Sequence, residues 1–305
     1  MRWQTISKQI EVATGQSFNI VSTHLLSGGD INSAFLLRGD NKSYFIKFNN
    51  ADLITMFEAE FVGLQELAKT QTIRVPKPVV CGQTPEHAYL VLEHIDFGSK
   101  NKTSERLLGE QLALMHSQQQ PYFGWHRPNT IGSTLQSNIQ TTDWPTFWCE
   151  QRLAFQLQLL AKKGYTGKLQ FDGERLCSDM PALFTHYQPQ SSLLHGDLWG
   201  GNVAVDQQGR PVIFDPACYY GDRETDLAMT ELFGGFSQDF YDAYQAVWPL
   251  DSGYDSRKTL YNLYHILNHL NLFGNGYLRQ AESMMALILS EIHQCCLPTT
   301  ALLTS

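Results

Sequence analysis

One stretch confines the fold more than any other: SLLHGDLWGGNVAVDQQGRPVIFDPA, residues 192–217. Two apolar runs, Val203–Val205 and Val212–Phe214, flank the polar turn Asp206–Arg210, which is the pattern of a β-hairpin. Asn202 opens the first strand and Asp215 closes the second. A hairpin returns its ends to one place, with neighbouring strands roughly 5 Å apart. Asn202 and Asp215 therefore meet at the open end, next to the loop that carries Asp197. The spacing gathers one carboxylate suited to act as a base and two oxygen donors suited to a hard cation.

His195-Gly196-Asp197-Leu198-Trp199-Gly200-Gly201-Asn202 fits H-x-D-L-x-x-x-N, the catalytic-loop pattern of protein kinases, with Gly196 where that pattern has Arg. Phosphoryl transfer explains the residue types. The accepting hydroxyl must sit in line with the γ-phosphate and lose a proton, which is the work of Asp197. The phosphate charge needs Mg²⁺, which an amide oxygen and a carboxylate, Asn202 and Asp215, can hold. Each residue alone fits an ordinary turn or strand exit. The joint pattern around a hairpin is what argues for ATP and Mg²⁺ as cofactors.

The remaining parts of such a site have candidates. Lys47 ends the strand YFIKF, and Glu58 and Glu60 lie in the following helix. At about 100° per residue, Glu60 shares the face of Phe57 and Leu64, whereas Glu58 points off it, so Glu60 is the expected partner of Lys47. Ser27, Gly28 and Gly29 form a turn between the first two strands, where backbone N–H groups can approach phosphate. Glu93, His94 and Ile95 follow an apolar strand and suit either an adenine-binding hinge or a plain linker.

The periodicities predict an α+β chain of two lobes. Residues 1–94 read as a β-rich nucleotide-binding lobe, with strands at Phe18–Leu26, Ser33–Arg38, Ser43–Phe48 and Ala88–Leu92 and a helix at Leu53–Lys69. Residues 95–305 read as a helical lobe carrying the catalytic loop and the acceptor site. Its helices are expected at Ser104–Gln118, Trp144–Lys163, Arg175–His186, Asp226–Leu232, Asp239–Val247, Arg257–Phe273 and Tyr277–Cys295. A net charge of −8 over 305 residues argues against a nucleic-acid partner. No apolar run reaches the roughly 18 residues of a membrane span. The six cysteines fit no zinc spacing, and the first fifteen residues hold no secretion signal, so a cytoplasmic protein with reduced thiols is expected.

These residues carry a family likeness. HGDLWGGN, IFDPACYYGDRETDLAMTELFGGF, TIRVPKP, NTIGSTLQSN and LYHILNHLNLFG together resemble the fructosamine (ketosamine) kinases, within the aminoglycoside-phosphotransferase-like branch of the protein-kinase-like fold. The resemblance implies Asp197 as proton acceptor, Asn202 and Asp215 as metal ligands, Lys47 and Glu60 as the ion pair, and Glu93–Ile95 as the hinge. It implies that Asp226 braces the catalytic loop, a role that fits a helix N-cap. Trp199 either walls the acceptor site or packs under the catalytic loop. Asp222 either faces the sugar or caps its loop. The implied activity is phosphorylation of a ketosamine, small or protein-bound, at the third carbon of the sugar, which destabilises the adduct and frees the amine. Kinases for an aminoglycoside, choline or another sugar, and a non-catalytic nucleotide-binding protein, are the competing readings. One departure stands out: Asp30 occupies the place of a cysteine that several members carry in the glycine-rich turn, so a disulfide through that turn cannot form.

Overall fold

The computed structural model describes residues 2–26 and 32–296. After helix α1 (Arg2–Thr14), five strands form one antiparallel sheet: β1 (Ser22–Leu26), β2 (Ser33–Arg38), β3 (Ser43–Asn50), β4 (Pro78–Gln83) and β5 (His87–Glu93). Their order across the sheet is β1-β2-β3-β5-β4, so β3 lies at the centre with a partner on each side. Helix α2 (Ile54–Lys69) runs between β3 and β4.

Strand alternation decides what each face meets. Tyr44, Ile46 and Phe48 of β3, with Tyr89 and Val91 of β5, pack with Ile6, Ile10 and Phe18 in a small cluster under α1. The intervening Leu90 and Leu92 belong to a second, much larger core with Phe57, Leu64 and Leu67 of α2. Lys47 falls on that second face, one residue from Ile46 and Phe48.

The chain beyond β5 is mostly helical. Its helices are α3 (Lys102–His116), α4 (Trp144–Trp148), α5 (Phe155–Lys162), α6 (Lys168–Asp179), α7 (Glu224–Leu232), α8 (Gln238–Val247), α9 (Tyr254–Phe273) and α10 (Leu278–Cys296). Three two-stranded ladders are set among them. They pair β6 (Asn129–Ile131) with β7 (Thr134–Gln136), β8 (Ser191–Leu194) with β11 (Tyr219–Asp222), and β9 (Val203–Val205) with β10 (Pro211–Ile213). Helices α3 and α8 approach so closely that a Cβ on Gly109 would lie 2.2 Å from the Phe240 carbonyl oxygen.

Several boundaries differ from the periodicity. The first strand starts at Ser22 rather than Phe18, whose ring instead packs edge-on against Tyr44, 4.8 Å away. Helix α3 starts at Lys102 because Asn101 caps it: the Asn101 side chain accepts from Ser104 N–H and the Ser104 hydroxyl accepts from Asn101 N–H, both at 2.9 Å. The helix expected over Arg175–His186 ends at Asp179, and a tighter 3₁₀ turn containing Pro181 follows. The long helix Trp144–Lys163 is interrupted by a π-helical turn at Cys149–Ala154. Among the described residues, no helix is long and apolar enough to cross a membrane.

Candidate active site

The hairpin β9–β10 closes as its sequence implies: Val203 pairs with Ile213, and Phe214 N–H donates to the Asn202 carbonyl at 3.1 Å. Asn202 and Asp215 thus leave the hairpin side by side. Asp215 turns the chain sharply, with φ at +59°, in the left-handed region that few residues other than Gly tolerate; Asp is one of them. The loop ahead of β9 brings Asp197 to the same place. Asn202 Nδ2 donates to the Asp197 carbonyl at 2.9 Å and to its carboxylate Oδ2 at 3.1 Å. Among the described residues no hydrogen bond reaches Oδ1 of Asp197. Burial, and the charge of Asp215, push this carboxyl up to about 7, against the hydrogen bond from Asn202.

Lys47 reaches the same place from strand β3. Its Nζ lies 2.8 Å from Glu60 Oε1 and also donates to Asp215 Oδ1. Burial works against this ammonium, but Asp215 and Glu60 together raise it above the ordinary lysine value. Burial raises the Glu60 carboxyl as well, with Lys47 pulling the other way. Glu58 is elsewhere: its carboxylate pairs with Arg127 at 3.3 Å and is 49 % exposed. Glu60→Ala should therefore lower kcat roughly tenfold or more, because Lys47 would lose one of the two carboxylates that hold it in place. Glu58→Ala should change kcat little. Steady-state turnover of the two variants checks the order, and the reverse ranking contradicts it.

The loop holding Asp197 is braced from below. Asp226 accepts His195 N–H at 2.7 Å and Gly196 N–H at 2.8 Å, and His116 Nε2 lies 3.2 Å away. The bracing arrives as expected, but not by capping: α7 begins at Glu224, and Asp226 sits in its first turn with its carboxylate turned to the loop. Gly196 has φ +82°, and a Cβ there would meet the Ala217 carbonyl oxygen at 2.2 Å, so glycine is obligatory.

The other candidates separate. Glu93 receives Arg74 on its carboxylate at 2.8 Å, and its N–H donates to the Lys77 carbonyl at 2.8 Å. Its side chain is thus taken by protein. Among the described residues nothing accepts from Ile95 N–H, while the His94 ring lies 3.8 Å from Asp96. Ser27, Gly28 and Gly29 lie outside the described residues, as does Asp30. Of the two readings of Asp222, the structure supports the loop cap and not the sugar contact. The residue is 0 % exposed, paired to Ser191 across β8–β11, and its carboxylate accepts from Tyr187, Tyr261 and Glu224 N–H. It is committed to structure and cannot face a sugar.

Trp199 is 41 % exposed. Its ring lies over Gly201, where a Cβ would come within 2.2 Å of it, and stands edge-on to Phe233 at 6.5 Å. Phe233 in turn meets His269 at 5.0 Å, and His269 meets Tyr277 at 5.2 Å and Phe273 at 5.5 Å. The Nδ1 of His269 is buried and has no partner among the described residues. This aromatic cluster around Trp199, Phe233 and His269 above all, was missed in the sequence. Periodicity places His269 on one face of a helix but not against Phe233.

Comparison with known proteins decides the kinship. The fructosamine kinase family model matches residues 2–291. The chain belongs to the fructosamine kinase family. Among its relatives, the Synechocystis protein named "Probable ketoamine kinase" is 48 % identical over 284 residues, covering 93 % of this chain and 95 % of that one. A chloroplastic protein-ribulosamine 3-kinase of Arabidopsis thaliana is 42 % identical over 274 residues, covering 89 % and 83 %. A Haemophilus somnus crystal structure, provisionally named a fructosamine-3-kinase, superposes with a TM-score of 0.87 at 29 % identity, covering 94 % of this chain and 97 % of the other. The fructosamine kinase fold extends to a gentamicin-bound aminoglycoside phosphotransferase at TM-score 0.61; at 14 % identity that likeness is one of fold alone. The sheet and helical remainder are thus the protein-kinase-like architecture.

Proposed function

We propose that this fructosamine kinase transfers the γ-phosphoryl group of ATP to the hydroxyl on the third carbon of ketosamines, free or on glycated proteins, in a deglycation repair role. The observation that carries the reading is the meeting of Asp197, Asn202 and Asp215 at one end of a hairpin, faced by the Lys47–Glu60 pair.

Asp197 Oδ1 accepts the hydrogen bond of the substrate hydroxyl and takes its proton as the oxygen bonds to phosphorus. Asn202 holds Oδ2 and so fixes the carboxylate's orientation. Lys47, clamped by Glu60, presents positive charge where the phosphates of ATP lie. The residues fit Mg²⁺: Asn202 turns its amide nitrogen to Asp197, leaving its amide oxygen as a donor. Asp215, 43 % exposed, keeps one carboxylate oxygen beyond the one on Lys47. Two hard protein donors are what Mg²⁺ takes when phosphate and water complete the octahedron. When bound, the ion neutralises the phosphate oxygens and aligns them for in-line attack.

The acceptor side suits a ketosamine. Trp199 and Phe233, both partly exposed, offer apolar faces to a sugar. A ketosamine nitrogen is a secondary ammonium, which aromatic faces attract. The partly exposed rim leaves room for whatever that nitrogen is attached to. A coupled assay of ATP turnover over glycated amines, free sugars and aminoglycosides tests the function. Ribulose- or fructose-derived lysine adducts should be turned over and kanamycin-like compounds should not. Trp199→Ala should raise the ketosamine KM about tenfold while the ATP KM barely moves. Turnover of aminoglycosides alone would overturn the reading.

A further inference from the structure

The stretch TIRVPKP, residues 72–78, contributes no group to the chemistry above, yet it joins both ends of the nucleotide site. Arg74 is its centre. The carbonyl of Arg74 accepts Ile213 N–H at 3.0 Å, tying its backbone to strand β10 of the hairpin that carries Asn202 and Asp215. Its guanidinium forks. Nη2 reaches Glu93 Oε1 at 2.8 Å, at the start of the hinge, and Nη1 reaches Asp206 in the turn of the hairpin. Three residues on, Lys77 pairs with Glu93 through its carbonyl and its N–H, at 2.8 and 3.2 Å. Pro76 and Pro78 stiffen the span between. Below it Phe97 stacks on Phe214 with centroids 5.8 Å apart, and Gly98 N–H donates to the Val205 carbonyl at 2.7 Å.

We propose that Arg74 is a positioning residue that sets the distance between the adenine-binding hinge and the metal-holding hairpin, so that base and phosphates of one ATP are seated together. The inference rests on the kinase reading above. A guanidinium is suited to the task because it is a rigid fork that holds two carboxylates at once; a lysine ammonium is a single point charge. Glu93 and Asp206 are both anionic partners, so without Arg74 they would also repel across the joint. The variant is expected to fold: Asp206 keeps Arg210 Nε at 2.8 Å and the N–H groups of Gln208 and Arg210 at 2.9 Å.

The test is titration calorimetry of Mg-ATP into the full chain without acceptor, alongside steady-state kinetics. Arg74→Met should weaken ATP binding about tenfold and leave the ketosamine KM unchanged. Arg74→Lys should recover little. Glu93→Ala should weaken ATP binding to a similar degree, and Arg74→Met with Glu93→Ala should be no worse than either alone, because both break one link. Glu93→Ala carries the test by itself should Arg74→Met fail to fold. Unchanged ATP affinity, full rescue by lysine, or multiplicative effects in the double variant would each overturn the inference. A merely structural Arg74 would lower Tm and the active fraction without moving ATP affinity. Absence of ATP binding in the wild type would instead bring down the kinase reading itself.

Discussion

Asp197→Asn should lower kcat by roughly 10²-fold or more while ATP still binds. The amide keeps the shape of the carboxylate and its contact with Asn202, but it cannot accept the hydroxyl proton. The pH dependence gives the prediction a second edge. Burial and Asp215 raise the Asp197 carboxyl to about 7, so the ionised, base-competent form is lost as pH falls through that value. The wild-type kcat/KM should drop about tenfold per pH unit below 7 and level off above it. Asp197→Asn should lose this acidic limb along with its activity. Near-normal turnover in the variant, or an unchanged limb, would remove Asp197 from its role.

Asp215→Ala should all but abolish Mg²⁺-dependent turnover, by roughly 10³-fold, and excess Mg²⁺ should restore little. Two consequences follow from the geometry. Lys47 loses one of its two anionic partners, and Asp197 loses the negative neighbour that helps raise it. Whatever activity persists should therefore show its acidic limb at lower pH than the wild type. Normal turnover at ordinary Mg²⁺ would show that Asp215 is not a ligand.

What was legible in the sequence was local. The β9–β10 hairpin could be read because its turn and its two apolar runs lie within a dozen residues. Glu60 could be separated from Glu58 because helix periodicity alone decides which one faces β3. Asp222 stayed between two readings because the pairing of β8 with β11, which buries it against Tyr187 and Tyr261, joins segments nearly thirty residues apart. Nothing near Asp222 in the chain announces Tyr261. Strand β4 was hidden for a related reason: PVVCGQ is a short apolar run after a proline, and only its pairing with β5 makes it a strand. The π-helical turn at Cys149–Ala154 left no signal in the 3.6-residue period. It accompanies Arg152, which is wholly buried, donates to Asn138 Oδ1 at 2.8 Å and lies over the Tyr219 ring at 4.2 Å. The aromatic cluster beyond Trp199 needed the fold, because Phe233 and His269 come from two further segments.

The central claim is that Oδ1 of Asp197 activates one particular hydroxyl. Phosphorus–proton correlation NMR of the product formed from ATP, Mg²⁺ and a fructose-derived lysine adduct tests it most directly. The account predicts a single phosphoester on the third carbon of the sugar, followed by release of the free amine. A phosphate on another carbon, or ATP consumed with no phosphorylated ketosamine formed, would contradict it.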